Sequence, residues 1–160
     1  MTDSDRPAGL RYFEDMPVGL VLRSIDYVVA REEVIAFARK WDPQPFHIDE
    51  EAARRSLFGG LTACSAHIFS MFSIISQQPL DGSRIVALAG LGFEELQLRK
   101  PVYAGDTLYC ESTVLDARRS ASKPDRGVIA QRAALVNQRG EAAFECRCKV
   151  MMQCYTIPEN

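Results

Sequence analysis

The segment from Leu61 to Ser76 is apolar or small on nearly every side, and it constrains the fold more than any other feature of the 160-residue chain. A helix without a polar face has to be buried, because it has no side to present to water. A chain of this length suits a single domain with one substantial core. The rest of the chain must therefore supply a wall around this core helix.

The second half of the chain has segments suited to such a wall. Residues typical of strands alternate with clusters of turn residues, which indicates successive antiparallel strands. The predicted strands are Ile85–Leu91, Glu94–Lys100, Asp106–Arg119, Gly127–Asn137 and Ala142–Met152. Upstream of the core helix, the pattern predicts a strand over Val21–Val29, a helix over Arg31–Trp41 and a short polar helix over Asp49–Arg55.

Helices followed by long antiparallel strands indicate the α+β class. A hydrophobic helix enclosed by a curved antiparallel sheet is the hot-dog architecture, which we expect here. Periodicity leaves open a second arrangement, in which Leu61–Ser76 packs on the flat face of an open sheet. We expect residues 1–10 to form a flexible tail, because they are rich in Asp, Ser, Pro and Gly, and residues 11–155 to form the single domain.

Composition excludes several classes of partner. The net charge of −2 shows no basic excess, so neither nucleic acid nor an anionic membrane surface is an expected partner. No apolar run approaches the roughly 20 residues that span a bilayer, and the N-terminus lacks the pattern of a secretion signal, so we expect a cytoplasmic protein. The five cysteines have no disulfide or zinc spacing, and we interpret them as reduced packing residues without a metal role.

Residues 42–49, here called the proline elbow, place an acid and an imidazole five residues apart. Pro43 and Pro45 restrict the backbone of this turn, so Asp42 and His47 are expected to be held rigidly. A carboxylate and an imidazole that converge on one point can hold a water molecule and move its proton. The alternative is that Asp42 caps a turn and His47 is a packed, hydrogen-bonded histidine.

The chain resembles the MaoC-like dehydratases, a family that includes the (R)-specific enoyl-CoA hydratases, from about Tyr12 to Met152. Three motifs carry the resemblance. They are Tyr12-Phe-Glu-Asp-Met-Pro-Val-Gly19, Asp42-Pro-Gln-Pro-Phe-His47-Ile-Asp49 and Lys100-Pro-Val-Tyr-Ala-Gly-Asp-Thr-Leu108. Their order along one domain is specific for the family and much less specific for substrate.

The resemblance implies roles for four residues. Asp42 and His47 would orient the attacking water, the backbone N–H of Ser65 would bind the thioester oxygen, and Ser73 would support Asp42. The oxyanion role agrees with physics, since a helix N-terminus offers free N–H donors and the positive end of the helix dipole. The resemblance further implies no cofactor and no metal, with coenzyme A as part of the substrate, and a homodimer or higher homo-oligomer.

Other residues are candidates for contacts in the same site. Gln44 stands where the family usually has Asn and would support the elbow, while Ser65 replaces a residue that is commonly Gly. Gly59 and Gly60 would let the backbone approach an acyl chain, or would only form the turn into the core helix. His67 would contact substrate, or would be a packed histidine. The basic candidates for holding coenzyme A are Arg99, Lys100, Arg118, Arg119 and Lys123, none of which the sequence singles out.

Three functions remain open from the sequence. The first is an acyl-CoA dehydratase or (R)-specific enoyl-CoA hydratase that adds water to an α,β-unsaturated acyl thioester by Asp/His acid–base catalysis. The second is a hot-dog acyl-CoA thioesterase, in which the same pocket activates water against the thioester carbonyl. The third is a non-catalytic acyl-CoA-binding subunit, which the departures at Gln44 and Ser65 keep open.

Overall fold

The computed structural model describes residues 7–156 of the chain. The helices are α1 (Arg31–Trp41), α2 (Pro45–Ile48), α3 (Glu50–Arg54) and α4 (Ser65–Ile75), and a 3-10 turn covers Phe13–Asp15. The strands are β1 (Leu10–Arg11), β2 (Val21–Arg23), β3 (Tyr27–Val28), β4 (Arg84–Ile85), β5 (Ala87–Leu98), β6 (Thr107–Arg119), β7 (Arg126–Asn137) and β8 (Ala142–Gln153). The predicted bounds of α1 are confirmed, and Asp49 is the N-cap of α3 rather than its first residue.

One large antiparallel sheet forms the wall around the core helix. Its strand order is β2–β6–β7–β8–β5, with β3 also paired to β6, while β1 and β4 form a small parallel pair. Helix α4 packs against the inner face of the large sheet, where its apolar side chains meet those of β6, β7 and β8. The core shared by helix and sheet includes Ile68, Met71, Phe72, Ile75, Leu108, Leu135 and Phe144. The α+β hot-dog architecture predicted from the sequence is confirmed.

The core helix differs from the prediction at its start. Residues 61–64 are not helical, because their backbone groups bind elsewhere. The N–H of Ala63 donates to the carbonyl of Val102 at 2.8 Å, and Thr62 forms an isolated β-bridge with Tyr103. Helix α4 therefore begins at Ser65, four residues after the predicted first residue Leu61.

The expectation that this helix has no exposed face is also wrong. Ala66, Ser70 and Ile74 follow one another at helical spacing and are exposed. These side chains are small or apolar, so the sequence alone does not mark them as a surface. The sheet of a single chain covers only one side of α4.

Strand boundaries differ from the prediction at three places. The predicted strand Val21–Val29 is divided into β2 and β3 at Ser24. The N–H of Ser24 donates to the carbonyl of Cys110, and its Oγ accepts from the N–H of Cys110. The two predicted strands Ile85–Leu91 and Glu94–Lys100 are largely one strand, β5, whose register shifts absorb the residues that looked like a turn. Leu10 lies in β1 rather than in the expected tail, while residues 1–6 lie outside the described residues.

A second, smaller core lies at the far end of the sheet. It contains Met16, Val114, Ile129 and Met152, with the 3-10 turn packed beside it. A Cβ atom on Gly127 would lie 2.3 Å from the ring of Phe13, so only glycine allows this close approach. Among the described residues, no helix is long and apolar enough to cross a bilayer.

The carboxylate of Glu14 ties this turn to β6 and to the end of the chain. It accepts hydrogen bonds from Arg119 Nη2 at 2.6 Å, from Thr156 Oγ1 at 2.9 Å and from the N–H of Tyr155 at 3.0 Å. Partial burial opposes ionisation, but these hydrogen bonds, led by that from the N–H of Tyr155, lower the pKa of Glu14 to about 2. A carboxylate with four donors converging on it favours its charged form.

We predict that Glu14→Gln lowers the free energy of unfolding at neutral pH by about 1–2 kcal/mol, a value discounted for partial solvent exposure. Because the pKa of Glu14 is lower in the folded chain than in the unfolded chain, its contribution is complete above about pH 5 and is lost as the pH falls toward 2. Urea unfolding at pH 7 and pH 3 measures this difference. The control is Glu111→Gln, since Glu111 is exposed and has no hydrogen bond to a described side chain. An equal effect of both substitutions would contradict the role of Glu14.

Candidate functional site

The proline elbow is more ordered than a simple turn. Helix α1 ends at Trp41, and the N–H of Asp42 closes its last turn on the carbonyl of Ala38 at 2.8 Å. Pro45 occupies the first turn of the one-turn helix α2, where its missing N–H is not needed, and this helix carries His47. The sequence analysis did not predict α2. The elbow thus fixes Asp42 and His47 at the ends of two adjoining helices.

The structure brings Asp42 and His47 together. His47 Nε2 lies 3.9 Å from Asp42 Oδ2, which is too long for a direct hydrogen bond and leaves one water molecule within reach of both atoms. The His47 side chain is 9% exposed and that of Asp42 is 37% exposed. The imidazole is therefore held in the protein interior, and the carboxylate faces solvent.

The other nitrogen of His47 is anchored on the main chain. His47 Nδ1 lies 2.6 Å from the carbonyl oxygen of Thr62 and 3.3 Å from its Oγ1. A carbonyl oxygen only accepts, so Nδ1 must carry the proton, and in the neutral ring Nε2 is left with its lone pair. The ring is also packed edge-on against Phe46, at 4.5 Å between centroids. Sequence reasoning missed Thr62, because a main-chain carbonyl leaves no signal in residue type.

A cavity of about 270 Å³ joins His47 to the start of the core helix. Ser65 lines this cavity and is the first residue of α4, so its N–H has no acceptor within the helix. Phe58, Ile68 and Leu98 give the cavity an apolar wall. The arrangement combines an imidazole, an adjacent carboxylate and an N–H donor at the positive end of a helix dipole.

Gly59, Gly60 and Gln44 lie outside this cavity. The two glycines line a separate cavity of about 560 Å³ beside Tyr103. Gly59 has a φ of +67°, a backbone conformation that favours glycine and agrees with a role in the turn. Contact of Gly59 or Gly60 with an acyl chain stays a prediction. Gln44 supports the elbow through its main chain, since its carbonyl accepts from the N–H of His47 at 2.9 Å.

His67 and Ser73, both on α4, do not line the cavity that contains His47. His67 lines a cavity of about 340 Å³ and stacks on Phe37 at 4.5 Å between ring centroids. Burial lowers the pKa of His67, which the nearby Glu33 opposes only in part, so this histidine is neutral. Ser73 Oγ donates to the carbonyl of Phe69 at 3.2 Å, and its support of Asp42 stays a prediction.

The basic candidates separate into two groups. Arg99 and Lys100 line the cavity that contains His47, whereas Arg119 is paired with Glu14 at the far end of the sheet.

Within residues 7–156, no group of three or more His, Cys, Asp or Glu side chains is placed to hold a metal ion.

We predict that neutral His47 carries its proton on Nδ1, because a buried carbonyl accepts from that atom. The ¹⁵N chemical shifts of the two ring nitrogens of His47 measure the tautomer directly. His67 provides an internal comparison, since the structure gives its Nδ1 no hydrogen-bond partner among the described residues. A protonated Nε2 in neutral His47 would show that the Thr62 contact is not the hydrogen bond inferred here.

Comparison with known proteins places the chain among hydratases and dehydratases. Residues 17–146 match the family described as "FAS1-like, dehydratase domain region". The crystal structure of the MaoC-like dehydratase from Rhodospirillum rubrum is 36% identical, with a TM-score of 0.79, and the match covers 91% of this chain and 99% of that one.

Two further relatives have more specific names. The (R)-hydratase from A. caviae involved in PHA biosynthesis is 25% identical, with a TM-score of 0.66 and coverage of 86% of this chain and 97% of that one. Mesaconyl-CoA hydratase from Cereibacter sphaeroides is 30% identical over 139 residues, which is 84% of this chain but only 38% of that protein. The family match, the shared hot-dog fold and the identity to the R. rubrum protein lead to one conclusion: this chain belongs to the MaoC-like dehydratase family.

Proposed function

We propose that the protein is an acyl-CoA dehydratase or (R)-specific enoyl-CoA hydratase, which adds water to an α,β-unsaturated acyl thioester or removes it. One observation carries the proposal: His47 Nε2, left unprotonated by the Thr62 contact, faces the Asp42 carboxylate at 3.9 Å. The names of the (R)-hydratase and of mesaconyl-CoA hydratase support the same reaction class.

In the proposed mechanism, one water molecule lies between Asp42 and His47. Nε2 accepts a proton as the water oxygen bonds to the β-carbon, and the electron pair of the double bond moves toward the thioester oxygen. The α-carbon then takes a proton from the same acid–base pair, which returns both groups to their starting state. All proton transfers use these side chains, so the proposed reaction needs no metal and no cofactor beyond the coenzyme A of the substrate.

The thioester oxygen gains negative charge during this addition. The N–H of Ser65 and the N-terminal end of α4 stabilise that charge in the proposed complex. The donor is a main-chain group, so the serine side chain does not replace it. Loss of a donor of this kind typically costs roughly 2.7–4 kcal/mol of transition-state stabilisation.

We predict that Asp42→Asn and His47→Gln each lower kcat/KM by about 10²–10⁴-fold, because each removes one proton-transfer group. The assay follows the ultraviolet absorbance of conjugated enoyl-CoA thioesters, across a panel of acyl groups. Asp49→Asn is the matched control, because Asp49 accepts from the N–H of Ala52 as a helix cap and Asn caps equally well.

The same assay separates the alternatives. Release of free thiol with the conjugated band intact would identify a thioesterase. Binding of the thioester without either change would identify a non-catalytic acyl-CoA-binding subunit. Either result contradicts the proposed hydration.

We further propose a homodimer, formed through β5 and the open face of α4. Strand β5 pairs only with β8 among the described strands, and all twelve of its residues are exposed. Its exposed apolar side chains are Leu88, Leu91, Phe93, Leu96 and Leu98. A long apolar sheet edge is a site where another chain can pair, and closed two-fold pairing is the commonest assembly. A second copy would also cover Ile74 on α4, which is 47% exposed.

We predict a dimeric mass by light scattering at micromolar concentration, with at least about 1,200 Å² buried in total. Leu91→Lys should shift the mass toward the monomer, because it places a charge on the apolar edge. Leu115→Lys is the control, since Leu115 is similarly exposed on β6, away from this edge. A monomeric wild-type protein with full hydratase activity would show that the site is complete within one chain.

A further inference from the structure

Three arginines line a hollow of about 150 Å³ on the large sheet. They come from three adjacent elements: Arg99 follows β5, Arg132 lies on β7 and Arg147 lies on β8. The wall also contains Glu95 and Glu145. One water needs only about 10–15 Å³ of such space, so the hollow can hold a small polyatomic ion.

The arginines outnumber the carboxylates that neutralise them. Arg99 Nε donates to Glu145 at 2.9 Å, and Arg147 Nε lies 3.3 Å from Glu95. Arg132 has no carboxylate within 4 Å among residues 7–156, and it is exposed. The hollow therefore carries one uncompensated positive charge.

The register of the sheet places Arg132 directly opposite Arg147. Like charges at directly opposed positions of an antiparallel pair are destabilising. An anion between the two guanidinium groups would replace this repulsion with two attractions. Arginine is suited to that role, because its planar group can donate two parallel hydrogen bonds to a phosphate.

The backbone at the rim is also unusual. Glu95 has φ of +52°, the only positive φ of a non-glycine residue among the described residues, and it lies within the register shift between Glu94 and Gln97. The side chain of Glu95 in this bulge lies 3.3 Å from Arg147, and no described carboxylate lies within 4 Å of Arg132. The local geometry thus preserves the free positive charge.

We propose that Arg99, Arg132 and Arg147 form a binding site for a phosphoryl group. Arg99 lines both this hollow and the cavity that contains His47, whereas Arg132 and Arg147 are exposed on the outer face of the sheet, next to the core-facing Ala133 and Cys146. Two sources supply the same chemistry: the terminal 3′-phosphate of a coenzyme A thioester in the catalytic cavity, and free inorganic phosphate. The first source rests on the proposed function, whereas the site itself does not.

Binding measurements on the full chain test the site without turnover. Calorimetric titrations use coenzyme A, dephospho-coenzyme A and inorganic phosphate, against wild type, Arg132→Gln and the control Arg84→Gln. Arg84 is an exposed arginine on β4 that does not line the hollow. Arg132→Gln should raise the Kd for coenzyme A by about fivefold, and Arg84→Gln should leave it unchanged.

The ligand series distinguishes the two sources. If coenzyme A supplies the phosphate, the Kd of dephospho-coenzyme A is insensitive to Arg132→Gln. If inorganic phosphate is the ligand, phosphate alone binds wild type more tightly than Arg132→Gln, and coenzyme A binds both equally. Equal binding of coenzyme A and phosphate to wild type and Arg132→Gln, or equal losses in both arginine variants, would overturn the proposal.

A melting experiment separates ligand binding from a structural role. Without ligand, Arg132→Gln should not lower Tm, because it removes a like-charge contact. The second measurement adds the ligand that the titration identifies, either inorganic phosphate or coenzyme A. This ligand should raise the Tm of wild type more than the Tm of the variant. A lower Tm of the unliganded variant would indicate a structural arginine and overturn the site. Arg132-dependent binding in a protein that hydrates no enoyl thioester would sustain this site while refuting the proposed hydratase.

Discussion

The hydrogen bond between His47 Nδ1 and the carbonyl of Thr62 connects the parts of the candidate site. Thr62 lies in the extended segment before α4, and the next residue, Ala63, is bonded through its N–H to Val102 in the loop before β6. The elbow, the start of the core helix and the sheet are thereby held in one register. Loss of the imidazole would leave a buried carbonyl unpaired, at a cost of about 1–3 kcal/mol. The same bond that positions the ring therefore also holds the helix entry.

This constraint decides where the core helix begins. The N–H of Ala63 donates to Val102, the carbonyl of Leu61 accepts from Ala104 and the carbonyl of Thr62 accepts from His47, so these groups are not available for a first helical turn. The free N–H groups of α4 consequently start at Ser65, beside His47, instead of one turn earlier. A helix that began at Leu61 would direct its positive end away from the imidazole. The non-helical segment thus places the positive end of the helix dipole at the proposed oxyanion donor, Ser65.

The sequence predicted the elements whose structure depends on neighbouring residues. It did not predict the features that depend on hydrogen bonds to distant parts of the backbone. Helix α1 was correct to the residue, because charges and apolar spacing agree along Arg31–Trp41. The convergence of Asp42 and His47 followed from the two prolines between them. The non-helical start of the core segment depends on Val102, about forty residues away, and cannot be read from Leu61–Cys64. The open face of α4 was missed because alanine, serine and isoleucine fit a buried helix as well as an exposed one.

The two histidines show why residue type alone does not identify a proton-transfer group. Both are buried and both are flanked by apolar residues, so their sequence contexts are similar. His47 has one nitrogen anchored on a carbonyl, and the other lies 3.9 Å from a carboxylate oxygen. His67 stacks on Phe37 with Nδ1 unpartnered, and burial lowers its pKa, so charging it is unfavourable. The partner at the second nitrogen, rather than the residue type, is therefore what favours His47 over His67 as the proposed proton-transfer group.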